Sequence, residues 1–333
     1  MKAFQIQAPG VSQVIDVVEP KAAAGEALLR VKMVGLCGTD LNTFRGRNVM
    51  AGLPRIPGHE VAAEIISGGG ALADGTLVTV LPYTSCGLCA SCRRDRPNAC
   101  QHNQTMGVQR DGAMVEYISV PVEKLYPARL SLQELVLVEP LTVGFHAASR
   151  GRVTANDIAA VFGCGGVGLG AITACASRGA ETIAIDMDDA KLAIAAHAGA
   201  KHLINTARED LHQRLVEITD GHGPDVIIEA IGLPQTFRAA VEEVAFTGRV
   251  VYIGYAKEPV AYETRLFVQK ELDILGSRNA QPEDFREVIA YLERGTFPVK
   301  DAVSAVEPVE EAGSMLAKWS DAPAMFTKII IEM

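Results

Sequence analysis

The stretch from Ile158 to Asp186 constrains the fold more than any other part of the chain. A short apolar run, Ile158–Phe162, passes directly into Gly163-Cys164-Gly165-Gly166-Val167-Gly168. Leu169–Arg178 then reads as a helix, and Thr182–Ile185 is a second apolar run closed by Asp186. A G-x-G-x-x-G match says little by itself. Between a strand and a helix, with an acid about 20 residues on, it meets the context that dinucleotide binding requires. Such glycines let the backbone approach a pyrophosphate, and the helix N-terminus adds free N–H groups and positive potential. Asp186 can accept hydrogen bonds from both hydroxyls of a ribose. It would repel a 2′-phosphate, and Met187 and Asp188 follow it instead of Arg, so NAD is expected in preference to NADP.

The α/β alternation continues downstream. Helices are expected at Ala190–Ala198, Leu211–Thr219 and Gln235–Ala245, with strands at His202–Ile204, Val226–Glu229, Val250–Gly254 and Leu272–Gly276. The pattern predicts an α/β fold with a parallel sheet wound on both faces. Ile231, Ile253 and Ser277 stand at strand ends and are expected to line one crevice with the glycine loop. The region before Asp157 has a different grammar. Alternating runs at Lys2–Gln7, Val14–Val18, Ala27–Val34, Val61–Ile66, Leu77–Leu81 and Val115–Val120 predict strands. A helix at Pro282–Glu293 and a strand at Phe326–Ile331 are expected to return to that first region. A chain of 333 residues is long enough for two domains. They are expected at 1–148 with 275–333, and at 149–274.

Cys86-x2-Cys89-x2-Cys92-x7-Cys100 is the most specific local signal. Four thiolates in a short loop can close a tetrahedral zinc site without other ligands. The segment is rich in Ser, Arg, Pro and Asn, so apolar packing cannot hold it together. A closed four-thiolate site leaves no open coordination position, which predicts a structural metal. Disulfides, a redox pair and an iron–sulfur cluster are the alternatives.

A second constellation is dispersed. His59 and Glu60 in Gly58-His59-Glu60 can offer a nitrogen and an oxygen to one divalent metal. Alone the pair reads as two polar residues on the surface, and its company in the chain is what points to a metal. Cys37, on a glycine-flanked turn after a strand, and Glu139, a lone acid between Val138 and Pro140, are candidates to join it. A buried carboxylate needs a partner, and a metal would be one. A buried free cysteine and a surface helix-end acid are the simpler readings of these two. His146 reads as an interior histidine. Arg45, Arg47 and Arg55 read as surface charges, with an anionic substrate or a subunit contact as the alternatives.

Net charge is −9, which argues against a nucleic-acid partner. The most apolar run, Ile158–Ala176, is interrupted by Gly163, Gly165, Gly166, Gly168 and Gly170, so no membrane span is expected. Seven cysteines without an export signal point to reduced thiols or metal ligands in the cytoplasm.

Together these residues resemble the zinc-dependent medium-chain dehydrogenase/reductase superfamily over essentially the whole chain. The resemblance rests on Cys37-Gly38-Thr39-Asp40, Gly58-His59-Glu60, the four-cysteine segment, Glu139-Pro140-Leu141 and the loop 163–168. The Gly58-His59-Glu60 and Glu139–Ala147 segments are most similar to the polyol and sugar-acid branch. The resemblance implies a Rossmann nucleotide domain plus a mostly β, GroES-like catalytic domain. It implies a catalytic zinc on Cys37 and His59, with Glu60 a direct or exchangeable ligand and Glu139 the remaining one, and a structural zinc on Cys86, Cys89, Cys92 and Cys100. Thr39 would carry the proton of the substrate hydroxyl, Asp40 would hydrogen-bond the His59 ring, and Lys191 would help hold the adenosine ribose beside Asp186. The implied activity is NAD-linked oxidation of a secondary alcohol of a polyol or sugar acid by a homodimer or homotetramer. A zinc alcohol or L-threonine dehydrogenase is the nearest alternative, and a non-catalytic nucleotide-binding homologue is the alternative of another class. One departure is Asn42, where many relatives carry a histidine that helps move the proton to solvent.

Overall fold

The structure, a computed structural model, describes all 333 residues and divides into two compact units. The first comprises Met1–Glu139, Gln281–Gly295 and Val299–Met333, and the second comprises Pro140–Ala280 and Thr296–Pro298. Residues 140–148, 275–280 and 296–298 therefore belong to the second unit, not to the first domain expected from the sequence. The first boundary falls inside one helix, which is why no composition shift marks it.

In chain order the first unit begins with strands β1 (Lys2–Ala8), β2 (Val11–Asp16) and β3 (Glu26–Leu36). A short helix, α1 (Gly38–Phe44), follows, and then β4 (Glu60–Ser67), β5 (Leu77–Val80), β6 (Tyr117–Pro121) and β7 (Leu125–Pro127). Helix α2 (Leu132–Arg150) carries Pro140 in its interior. The second unit holds β8 (Ile158–Phe162), α3 (Gly166–Ser177), β9 (Glu181–Asp186), α4 (Asp189–His197), β10 (His202–Asn205), β11 (Val226–Glu229), β12 (Arg249–Tyr252) and β13 (Asp273–Gly276). The chain ends in the first unit with β14 (Ala305–Pro308) and β15 (Ile329–Glu332).

The second unit contains a six-stranded sheet in the order β10-β9-β8-β11-β12-β13, every pairing parallel. Counted within the sheet this is 3-2-1-4-5-6, the doubly wound order whose direction reverses between its first and fourth strands. Buried Val, Ile and Ala on β8, β9 and β11 give the near-continuous apolar runs of strands covered on both faces. Gly163 follows β8 at φ +95°, a conformation open to glycine at little cost.

The first unit is built on a sheet in the order β14-β15-β3-β4-β5-β7, with β6 also paired to β3, and on the hairpin β1-β2. Its core includes Phe4, Leu29, Val34, Leu36, Val61, Ile65, Met114 and Ile331. Gly35 on β3 pairs with Glu60 on β4 and with Ile330 on β15. That register brings a polar cluster into the sheet's interior. No helix in the structure is long and apolar enough to cross a membrane.

Candidate metal centre and cofactor loop

Cys37, His59 and Glu60 converge. One ligand atom from each lies within 4.8 Å of the others. Cys37 is the residue between the end of β3 and α1; His59 immediately precedes β4 and Glu60 opens it, β4 being the antiparallel neighbour of β3. Two turns on adjacent strands thus deliver the three donors. His59 and Glu60 are 5% and 0% exposed, so neither is a solvated surface residue. His59 Nδ1 is buried with no hydrogen-bond partner. Burial alone would lower the His59 pKa, but the negative charges of Cys37, Asp40 and Glu139 raise it well above its ordinary value. A buried ring with an unpartnered nitrogen, beside a thiol and carboxylates, is a donor set suited to a divalent cation.

Glu60 has a protein partner that the sequence reading missed. Lys328, 5% exposed, reaches both carboxylate oxygens with Nζ at 2.6 Å and Leu36 O at 3.2 Å. Lys328 directly precedes β15, and β3 lies between β15 and β4. The Glu60 side chain therefore has to pass over β3 to meet it, and it does so at Gly35. A Cβ at Gly35 would overlap Glu60 Oε2 and crowd Val136 Cγ1 at 2.9 Å. Gly35→Ala is expected to displace Glu60 and to destabilise the protein by about 1–3 kcal/mol through overpacking. Urea unfolding would measure it, and an unchanged midpoint would contradict the close approach.

Glu139 lies outside the three-residue group. It is 4% exposed in the middle of α2, and its Oε1 accepts a short hydrogen bond from the Tyr83 hydroxyl. Burial raises the Glu139 pKa, against the pull of His59. Tyr83 is itself 4% exposed, and burial together with Glu139 holds its phenol well above the ordinary range. No periodic signal in the sequence marks Tyr83. Thr39 is half-buried, with its hydroxyl 3.7 Å from Cys37 Sγ.

The expected hydrogen bond from the His59 ring to Asp40 is not formed. Asp40 sits in the first turn of α1, where its Oδ2 accepts from the Cys37 N–H at 2.9 Å and its Oδ1 from the Gly58 N–H at 3.4 Å. These free backbone donors compete for the carboxylate and take it. Asp40 thereby ties together the two turns that carry Cys37 and His59. Arg45 and Arg55, expected to be surface charges with an anionic substrate as the alternative, are engaged within the protein. Arg45 donates to the Ser320 hydroxyl at 3.0 Å, and Arg55 pairs with Asp111 at 3.0 Å.

The four remaining candidate thiols form a second group, also within 4.8 Å of one another. Cys89 Sγ lies 3.4 Å from Cys92 Sγ and 3.8 Å from Cys100 Sγ. A tetrahedral ion with zinc–sulfur bonds of about 2.3 Å sets sulfurs about 3.8 Å apart. Backbone N–H groups of Cys86, Cys89 and His102 point at sulfurs at 3.3–3.4 Å. Ser91 and neighbouring backbone donors lower the Cys89 pKa to about 5, whereas burial and the neighbouring sulfurs push Cys92 up to about 11. No disulfide joins these residues.

In the second unit, Gly163–Gly168 connects β8 to the start of α3. A Cβ at Gly168 would overlap Gly163 O, so the third glycine of the motif permits close helix–strand packing. At Gly165 a Cβ would meet nothing within 4 Å, which leaves open space where a pyrophosphate can approach. Gly166 and Val167 form the first turn of α3. Asp186, at the end of β9, accepts from the Cys164 N–H at 2.8 Å and from Met187 and Asp188 N–H groups at 2.8 and 3.1 Å. Lys191 on α4 is close enough for its charge to lower the Cys164 thiol pKa, although burial dominates and raises it. Ile231 is 42% exposed after β11, Ile253 follows β12, and the buried Ser277 hydroxyl after β13 has no hydrogen-bond partner.

Comparison with known proteins agrees with this architecture. Residues 23–130 match the alcohol dehydrogenase GroES-like domain and residues 166–294 match the zinc-binding dehydrogenase domain. L-galactonate-5-dehydrogenase of Escherichia coli K12 is 33% identical over 273 residues, covering 81% of this chain and 80% of the relative. A short chain alcohol dehydrogenase of E. coli CFT073, solved in complex with NADH, superposes with a TM-score of 0.92 at 28% identity, covering 100% of this chain and 99% of that one. Galactitol-1-phosphate dehydrogenase of E. coli gives a TM-score of 0.92 at 25% identity, with both chains covered completely. The convergent donors, the glycine loop and these matches place the chain in the zinc-dependent medium-chain dehydrogenase/reductase superfamily, in its polyol and sugar-acid branch.

Proposed function

We propose that the chain oxidises a secondary alcohol of a polyol or sugar acid with NAD. The observation that carries this reading is the buried convergence of Cys37, His59 and Glu60. Unlike four thiolates, these three donors would leave a coordination position open for a substrate oxygen. Cys37 and His59, with Glu60 and Glu139 beside them, would hold a zinc ion, which would supply Lewis acidity toward the alcohol oxygen, and bound NAD would supply the hydride acceptor. The Thr39 hydroxyl, next to Cys37 Sγ, takes the proton of the substrate hydroxyl and passes it outward. Half-buried Asn42 does not titrate, so the path beyond Thr39 runs through water. Asp40 fixes the backbone of the two ligand-bearing turns. A second zinc on Cys86, Cys89, Cys92 and Cys100 has a structural role.

On the cofactor side, Gly163, Gly165, Gly166, Val167 and Gly168 receive the pyrophosphate, and Asp186 the adenosine ribose with Lys191 beside it. Ile231, Ile253 and Ser277 line the remainder. Charge-assisted hydrogen bonds are worth about 1.5–3 kcal/mol. Asp186→Ala is therefore expected to lower kcat/KM for NAD by about 10–100-fold and to spare NADP, narrowing the preference. Equal losses with both cofactors would contradict the ribose contact. The open edge of β13, with Ile274 exposed, supports self-association into a dimer or tetramer.

The function is tested by following NADH and NADPH formation across five- and six-carbon polyols and sugar acids with the zinc-loaded protein. Turnover of one or more of these with NAD is the expected result. Turnover confined to primary alcohols or L-threonine would favour the alternatives within the superfamily.

A further inference from the structure

The cysteine lobe and the catalytic donors are joined by one short segment. Tyr83 lies three residues after β5 and three before Cys86, and its hydroxyl donates to Glu139 Oε1. The segment around it is fixed from one direction. Pro82 O accepts from Met106 N–H at 3.0 Å, and Arg110 Nη2 reaches it at 3.4 Å. Thr84 N–H donates to Asn103 Oδ1 at 3.2 Å, and the Thr84 hydroxyl accepts from Gln104 N–H at 2.7 Å. Asn103 and Gln104 are the chain leaving the lobe, and Asn103 N–H donates to Cys100 O at 3.2 Å. Both residues flanking Tyr83 are therefore pinned to the exit from the last of the four cysteines.

The lobe has little else to hold it. Cys100 and Asn98 are buried, but Leu88 is 78% exposed and most of residues 86–96 face solvent. A loop without an apolar core takes its order from the bonds to its sulfurs. Tyr83 is itself 4% exposed, and its hydroxyl donates to Glu139 Oε1, so it is buried against one of the candidate donors.

We propose that Tyr83 is a positioning residue that fixes the Glu139 carboxylate for the catalytic metal, and that the cysteine lobe sets Tyr83, so that order at the lobe strengthens metal binding at the other site. The inference rests on the metal assignment proposed above. The phenol fixes Glu139 Oε1 and so narrows the directions its carboxylate can take toward a metal. Partners of this kind typically govern about 10–100-fold in metal affinity.

The test is cobalt binding to zinc-stripped, refilled protein, read by the visible spectrum of the site that Cys37→Ser removes. Tyr83→Phe should weaken cobalt at that site about 10–100-fold and alter its spectrum, with metal at the four cysteines unchanged. Asn103→Ala approaches from the lobe and should weaken the same site, and adding it to Tyr83→Phe should give no further loss. Wild-type affinity in Tyr83→Phe would overturn the inference, as would additive losses in the double variant. Should Tyr83→Phe fail to fold, Asn103→Ala decides, because unchanged cobalt affinity there also overturns it. If wild-type protein holds no metal that Cys37→Ser removes, the assignment of the catalytic site fails instead.

Discussion

Cys37→Ser and His59→Ala, made separately, are expected to reduce turnover of the best polyol or sugar-acid substrate by about 10³-fold or more. The magnitude follows from the role of the cation. Lewis-acid stabilisation of a developing alkoxide is worth several kcal/mol, and each 1.36 kcal/mol is tenfold in rate, so about 4 kcal/mol already gives that loss. The fold should survive both changes. Neither side chain is among the apolar groups that build the core of the first unit, and Asp40 would still tie the two turns through the backbone. Steady-state kinetics with near-UV circular dichroism as a control would measure the effect. Turnover within tenfold of wild type in either variant would remove these residues from the chemistry.

The second large effect concerns Lys328. Replacing it by Met keeps the apolar stem and removes the cation from Glu60, which is fully buried. Breaking a buried ion pair by deleting one partner typically costs about 3–5 kcal/mol, because the remaining charge is left uncompensated. Urea unfolding of zinc-free Lys328→Met should show a loss of that size. Zinc-loaded protein should lose less, since the carboxylate then faces another cation. A loss below about 1 kcal/mol without zinc would mean that Glu60 does not depend on Lys328. An equal loss with and without zinc would mean that Glu60 does not face the metal.

Much of this arrangement was legible from sequence because it is local. The strand, glycine loop, helix and acid from Ile158 to Asp186 all fall within 29 residues, and the structure reproduces them as β8, α3 and β9. The four cysteines are legible for the same reason, since 15 residues contain the whole donor set. What escaped depends on distant contacts. Lys328 meets Glu60 across 268 positions, and Tyr83 meets Glu139 across 56. A lysine before an apolar run ending in Ile329-Ile330-Ile331 is the one hint that a buried charge needed a partner. The Asp40 error has another origin. The resemblance supplied a ring contact, whereas the free N–H groups of Cys37 and Gly58 were nearer competitors for the same oxygens. Strands such as β7 and β14 span three and four residues, too short to show a period.

The most direct test of the account is zinc content per chain in the wild-type protein, in Cys37→Ser and in a variant with Cys86 and Cys100 both replaced by Ser. The account predicts two zinc ions in the wild type and one in each variant, with turnover following the ion lost in Cys37→Ser. A single zinc that survives Cys37→Ser and disappears with the Cys86 and Cys100 replacements would contradict it, and would make the chain a nucleotide-binding homologue without an open metal site.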